Sequence, residues 1–173
     1  MIMEFYETIK TRRSSRGYLP DKPVPEKALT RIAEAIDLAP SACNRQPVKF
    51  LFVRNPELRA KICEVYQPAW LKEAPVIAVV LGCDEKAWHR LEGDSIVPVD
   101  AAIAMEHFML AAAAEGLGTC WICAFRRDEM DKVLGLTGSP WRSVAISPLG
   151  YAKAGAVGPL SRKNVHEIVQ VID

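Results

Sequence analysis

Residues 100–115 run Asp-Ala-Ala-Ile-Ala-Met-Glu-His-Phe-Met-Leu-Ala-Ala-Ala-Ala-Glu, with apolar or small side chains on almost every face of a helix. Such a helix has no solvent side to offer, so the chain must build its core around it. Asp100 stands as a candidate acidic N-cap and Gly116 as the C′ residue that ends the helix. The alanines at 111–114 let another backbone come close, at the centre of the domain or across a subunit interface. His107 lies inside this helix and reads as a core histidine with one hydrogen-bond partner rather than a catalytic group.

The 173 residues suffice for a single domain over 1–173, able to bury roughly 70% of the surface its unfolded form exposes. Hydrophobic periodicity places further helices at residues 3–11, 26–38, 56–65 and 128–134. The second has Leu29, Ile32, Ala33 and Ile36 on one stripe with Pro25 near its first turn, and Gly135 stops the last. Strands are expected at 48–53, 76–81, 119–124, 143–146 and 167–172. Helices and strands thus mix in an α/β pattern without strict alternation. The strand at the extreme C-terminus needs a sheet edge, which a partner subunit could offer.

Charge narrows the function classes. Lys plus Arg number 22 and Asp plus Glu 21, so the chain lacks the broad basic field that nucleic acid or an anionic membrane selects. Any anion site has to be local. The start of the chain lacks the basic-then-apolar order of a secretory signal, and the most apolar stretch, residues 75–83, is far short of the roughly 20 residues of a membrane-spanning helix. Five scattered cysteines, an odd number, suit reduced thiols, and the expectation is a soluble, cytoplasmic protein. Cys120 and Cys123 form a C-x-x-C, but on a strand residues three apart point to opposite faces, so neither a thiol pair nor half a zinc site is expected. His89, His107 and His166 are too isolated to complete a metal site, and none is expected.

Three segments carry directed polarity. Arg12-Arg13-Ser14-Ser15-Arg16 sets three guanidinium groups and two hydroxyls within five residues. Arginine forks bind phosphate oxygens in bidentate fashion, so this is a local anion site or a solvated basic turn. Residues 39–47, Ala-Pro-Ser-Ala-Cys-Asn-Arg-Gln-Pro, hold Ser41, Asn44 and Gln46 between two prolines. That loop suits a heterocycle with alternating donors and acceptors, although a helix-capping turn explains Ser41 and Asn44 equally well. In residues 115–122, Glu-Gly-Leu-Gly-Thr-Cys-Trp-Ile, a Gly-x-Gly leads into a strand and lacks the strand-to-helix order of a dinucleotide fingerprint.

In order along the chain, these segments, with the Asp100 helix, Pro148-Leu149-Gly150-Tyr151 and the late basic pair Arg162 and Lys163, resemble the nitroreductase family of FMN-dependent oxidoreductases. The resemblance implies a nitroreductase-like FMN-binding fold, a central mixed sheet flanked by helices, in an intertwined homodimer with the flavin at the interface. It implies that Arg12, Arg13 and Ser14 hold the FMN phosphate and ribityl chain while Arg162 and Lys163 close on the phosphate. Arg16 matches a cation near the pyrimidine edge. Pro40, Ser41, Ala42 and Asn44 match a loop that reaches the flavin of the other subunit, and Gln67 an amide that meets the ring. Trp121, Ile122 and Cys123 match a segment passing the central ring near N5. Cys123 stands where other members carry glycine or an acidic residue, and Val48 where an aromatic residue is frequent.

The activity implied is transfer of electrons from NAD(P)H through FMN to a small acceptor such as a nitroaromatic or quinone, by ping-pong turnover in one open cleft. No side chain need be a covalent or general acid–base catalyst, because the flavin carries that chemistry. Alternatives are a specialised relative such as a dehalogenase or flavin-consuming enzyme, and a flavin-binding protein without turnover.

Overall fold

The computed structural model describes residues 4–172. Its helices begin where local chemistry permits. Helix α1 (Phe5–Thr11) starts at Glu4, whose carboxylate accepts the N–H groups of Tyr6 and Glu7; the expected start at Met3 lies outside the described residues. Helix α2 (Glu26–Asp37) follows Pro25 and buries Ala28, Leu29 and Ile32, with Ile36 half-buried, whereas Ala33 is exposed. The buried stripe thus runs 28, 29, 32, 36, the i, i+4 spacing of one helix face. Helix α3 (Pro56–Val65) is capped by Asn55, whose side chain accepts from Leu58 N at 2.9 Å, with Pro56 at the first position. Proline fits there because the first-turn N–H groups have no intrahelical acceptor.

Strands β1 (Val48–Val53), β2 (Val76–Cys83), β3 (Gly118–Thr119) and β4 (Trp141–Gly150) form one sheet in the order β1-β2-β4-β3. All strand pairs are antiparallel; the parallel component of the expected mixed sheet is an isolated bridge between Ser14 and Thr119. Every residue of β2 is buried, which is why its sequence is a continuous apolar run rather than an alternation. Val76, Ala78 and Val80 join one core with α2 and α4 (Val97–Ala114), while Ile77, Val79 and Leu81 join a second with α3 and α5 (Arg127–Val133). The sheet is therefore a two-sided partition between two hydrophobic clusters, the layered arrangement that buries both its faces.

Helix α4 begins three residues before Asp100. Ile96 is its N-cap and proline occupies its first turn, so Asp100 is not the cap. Ala101, Ala104, Met105, Phe108, Met109 and Ala112 are buried in the first core. The expected burial of α4 on all sides holds for that face alone, since Val99 is 47% exposed and Ile103 and Leu110 are partly open. By length and composition alone α4 could cross a bilayer, yet it rests on the sheet. Gly82 permits this contact: a Cβ there would stand 2.2 Å from Val97 Cγ1. Among the described residues His107 has the one hydrogen-bond partner expected of it, with Nδ1 2.9 Å from the Ala35 carbonyl oxygen.

Two expected strands fall short. The ladder through residues 119–124 reduces to β3 plus a bridge at Ile122, because Ser15 N donates to the Thr119 carbonyl, Cys120 N donates to Ser147 Oγ, and Pro148 supplies no donor. Residues 167–172 form no strand. Residues 165–167 make a single 3-10 turn closed by a reciprocal cap between Asn164 and Glu167, and Ile168, Val169, Val171 and Ile172 are exposed. The edge strands β1 and β3 do not pair with this segment, so local side-chain to main-chain bonds decide its conformation.

Candidate functional site

The basic turn and the glycine turn meet. After α1 the chain runs through Arg12 and Arg13 into Ser14 and Ser15, where Ser15 N donates to the Thr119 carbonyl at 2.8 Å. This brings Arg12, Arg13 and Ser15 against Gly116, Leu117 and Gly118, and together with Ala113, Ala152 and Val157 they line a cavity of about 210 Å³. The close approach requires glycine: a Cβ at Gly118 would meet Ser15 Oγ at 2.4 Å. Gly116, with φ +74°, ends α4 in the left-handed region. Arg13 is turned back onto the carbonyls of Lys10 (2.6 Å) and Arg12 (2.7 Å), whereas the Arg12 guanidinium makes no hydrogen bond or ion pair among the described residues. A cavity whose wall carries the Arg12 guanidinium, which has no hydrogen-bond partner among the described residues and lies near Glu106, together with the Gly116–Gly118 turn, suits an oxyanion such as phosphate. Its volume lies below the roughly 300–1,000 Å³ that encloses a whole cofactor-sized ligand, so it fits one end of such a group.

The loop between α2 and β1 is held in a costly conformation. Cys43, Asn44 and Gln46 all have positive φ (50°, 52° and 48°), which asparagine tolerates and the other two adopt rarely. Such conformations persist when the surroundings over-determine them. Here Asp100 Oδ1 accepts Ala42 N at 3.0 Å, Ser41 Oγ accepts Gln46 N at 2.9 Å, and the Arg45 guanidinium donates to the Ala87 carbonyl at 2.7 Å. Asp100 is 2% exposed and its Oδ2 has no hydrogen-bond partner among the described residues. Pro40, Ser41 and Gln46 line a second cavity with Asp100, apart from the first. Asn44 is exposed, its Oδ1 accepting from the Gln46 amide. Sequence reasoning read Asp100 as a helix cap; the signal of its other role was a lone carboxylate opening an otherwise apolar helix.

Residues 120–123 divide between the two faces of the sheet. Cys120 and Ile122 are buried in the second core, while Trp121 packs against the first and its Nε1 donates to Cys123 Sγ at 2.9 Å. Cys123 is exposed and lines a third cavity, of about 800 Å³, with Phe125, Arg127 and Val97. The two thiols are free, one buried and one exposed. Gln67 is exposed and its amide bonds back to the Glu64 carbonyl. Arg16 is exposed, held by its own N–H to Ala156 O at 2.9 Å. Arg162 and Lys163 lie in the exposed C-terminal segment, outside the residues lining the first cavity. In a single chain, then, Arg12 and Arg13 meet the Gly116–Gly118 turn with Ser14 bridged to Thr119, while the 40–44 loop and the late basic pair stand elsewhere.

Unforeseen from sequence are Glu73 and Lys153, which flank the Arg16 segment. Glu73 Oε2 accepts Tyr18 N at 2.9 Å and its Oε1 accepts Lys153 Nζ at 2.7 Å. The Lys153 ammonium, then the Tyr18 N–H, hold the Glu73 carboxyl below the usual carboxylate range. Tyr18 itself is buried, its hydroxyl donating to Ser15 O at 2.8 Å, and burial raises its pKa.

Comparison with known proteins identifies the family. The nitroreductase family model matches residues 9–91 and 63–151. A curated protein of Methanothermobacter thermautotrophicus, named for NADH dehydrogenase or NAD(P)H nitroreductase activity, is 36% identical over 86% of this chain and 78% of its own length. The FMN reductase [NAD(P)H] of Bacillus subtilis is 32% identical over 75% of this chain and 58% of its own. A crystal structure of a nitroreductase family protein from Clostridium novyi NT superimposes with a TM-score of 0.79 at 32% identity, covering 91% of this chain and 89% of that one.

Proposed function

Because the chain belongs to the nitroreductase family, we propose that it is a cytoplasmic FMN-dependent oxidoreductase that takes electrons from NAD(P)H and passes them to a small acceptor such as a nitroaromatic or quinone, working as a homodimer. The observation that carries this reading is the cavity where Arg12, Arg13 and Ser15 meet the Gly116–Gly118 turn. It is sized and charged for a phosphate and the polyol end of a flavin, and the relatives' names supply the flavin and the nicotinamide. The five free thiols support a reducing compartment. The open face of α4 and the exposed apolar C-terminal segment support a second copy of the chain.

In this reading Arg12, Arg13 and Ser14 hold the phosphate, joined by Arg162 and Lys163 from the C-terminal segment. Arg16 stands near the pyrimidine edge, the Gln67 amide meets the ring, and Trp121, Ile122 and Cys123 pass the central ring. Pro40, Ser41, Ala42 and Asn44 present their loop to the flavin of the partner, with Asp100 fixing the loop's backbone. When bound, the flavin supplies hydride acceptance and donation. The protein's own part is to bind, orient and favour the charge that develops, which needs no side-chain nucleophile.

The test is the absorption spectrum of the purified protein, with FMN or FAD added, followed by anaerobic mixing with NADH and with NADPH. A yellow protein that prefers FMN and bleaches with a nicotinamide is expected. A protein that ignores FMN would overturn the reading, and one that binds FMN but resists both nicotinamides would make it a flavin carrier.

A further inference from the structure

Residues 16–19 have no regular secondary structure, yet their backbone is tied at each step. Arg16 N donates to Ala156 O (2.9 Å), Lys153 N to Gly17 O (3.1 Å) and Leu19 N to Tyr151 O (2.9 Å). The fourth tie comes from a different part of the chain. Glu73 ends the 3-10 turn that follows Gln67 and accepts Tyr18 N, while its other oxygen takes the ammonium of Lys153. A Cβ built on the buried Gly17 would have Glu73 Oε2 and Lys153 Cδ each at 3.8 Å. The Glu73–Lys153 ion pair therefore lies beside Gly17, the residue next to Arg16. Ala152, adjacent to Lys153, lines the Arg12 cavity.

We propose that Glu73 and Lys153 form a positioning and charge-setting pair for Arg16: Glu73 links the Gln67 turn to the Arg16 segment, and Lys153 cancels the negative charge this link brings next to it. The inference rests on the flavin reading above. It follows from the arrangement of charge. Reduction places negative charge on the pyrimidine side of a flavin, so a nearby charge acts on the reduced state more than on the oxidised one, and only such differential stabilisation moves a potential. With Glu73 and Lys153 both present, Arg16 is the uncancelled cation of the group. Removing Lys153 leaves a carboxylate that opposes Arg16, and removing the charge of Glu73 leaves a second cation that assists it. The side chains are 42% and 31% exposed, so solvent and salt screen the effect.

The experiment is the two-electron midpoint potential of the FMN-loaded protein, measured at low and high ionic strength for Lys153→Gln, Glu73→Gln, the double variant and Glu73→Ala. Lys153→Gln is expected to lower the potential and Glu73→Gln to raise it. Each shift corresponds to a threefold to tenfold change in the balance of reduced and oxidised flavin, up to about 30 mV. The double variant returns towards the parent, and both shifts shrink in high salt. Glu73→Ala, which also removes the acceptor of Tyr18 N, is expected to weaken FMN binding severalfold, and Glu73→Gln to restore it. A merely structural pair would move both potentials in one direction or neither, and either result overturns the proposal. If a Glu73 variant does not fold, Lys153→Gln decides alone, since an unchanged potential rejects the proposal and a lowered one supports it. A parent protein that takes up no FMN overturns the flavin reading and this inference together, whereas a yellow parent whose variants shift alike overturns this inference alone.

Discussion

At the scale of single residues the site depends on small side chains as much as on charged ones. Gly118 holds its place because Ser15 Oγ would lie 2.4 Å from an added Cβ. Gly118→Ala is expected to push Ser15 off the Thr119 carbonyl, narrow the Arg12 cavity and reduce FMN affinity at least about tenfold, a cost of about 1.4 kcal/mol or more; a fluorescence titration of FMN checks it. Arg16→Ala is expected to keep much of the FMN affinity, since in the proposed site the phosphate has other partners, and to lower the flavin potential by a few tens of millivolts, ~30 mV per tenfold. Redox-dye titration measures that, and an unchanged potential would remove Arg16 from the pyrimidine edge. Cys123→Ser and Cys120→Ser are expected to preserve turnover, because hydride passes between nicotinamide and flavin without a thiol. A Cys123 variant that binds FMN normally but cannot turn over would contradict this.

At the scale of elements, the junction of α5 with β4 shows how a buried carboxylate fixes a strand. Asp131, 4% exposed, accepts Ser143 N at 2.7 Å and pairs with Arg142. Burial alone would raise its pKa; the bonds from Ser143 and Arg142 outweigh that and hold it below the usual range. Its stabilisation is therefore complete above the unfolded-state value near 3.9 and lost as pH falls through the lower folded-state value. Asp131→Ala is expected to cost about 2 kcal/mol, the worth of a charge-assisted hydrogen bond, or about 4–8 °C in Tm at this chain length. It should also flatten the acid limb of the stability curve, as thermal melts from pH 2 to 7 can show.

At the scale of the whole molecule, one chain leaves apolar surface bare in two places. Phe5, Tyr6, Ile9 and Val99 are exposed around α1 and α4, and Leu160, Val165, Ile168, Val169, Val171 and Ile172 along the C-terminal segment. A second copy is expected to bury both, and the dimer should release flavin as it dissociates. Sedimentation at falling concentration, followed at the flavin's absorbance, tests this; a monomer with full FMN affinity would end the dimer proposal.

Much of this architecture was legible along the chain wherever the determining signal is local. Helix α3 and strand β1 lie at the expected residues because the helical periodicity of 56–65 and the strand composition of 48–53 are local. The order of the Arg12 turn, the Pro40 loop and the Gly116 turn likewise identified the family, since each is a contiguous string. Three features were not legible in composition and periodicity. Asp100 reads as a cap until the loop at Ala42 is folded against it. Residues 119–124 and 167–172 have strand composition, but Ser147 and Pro148 interrupt the ladder of the first, and the reciprocal cap between Asn164 and Glu167 turns the chain into the second. Glu73 and Lys153 are 80 residues apart. Composition and periodicity thus determined the helices and the strands β1, β2 and β4, while tertiary structure decided which polar groups meet, because a hydrogen bond or ion pair across such separations exists only once the chain has closed the loop between its partners.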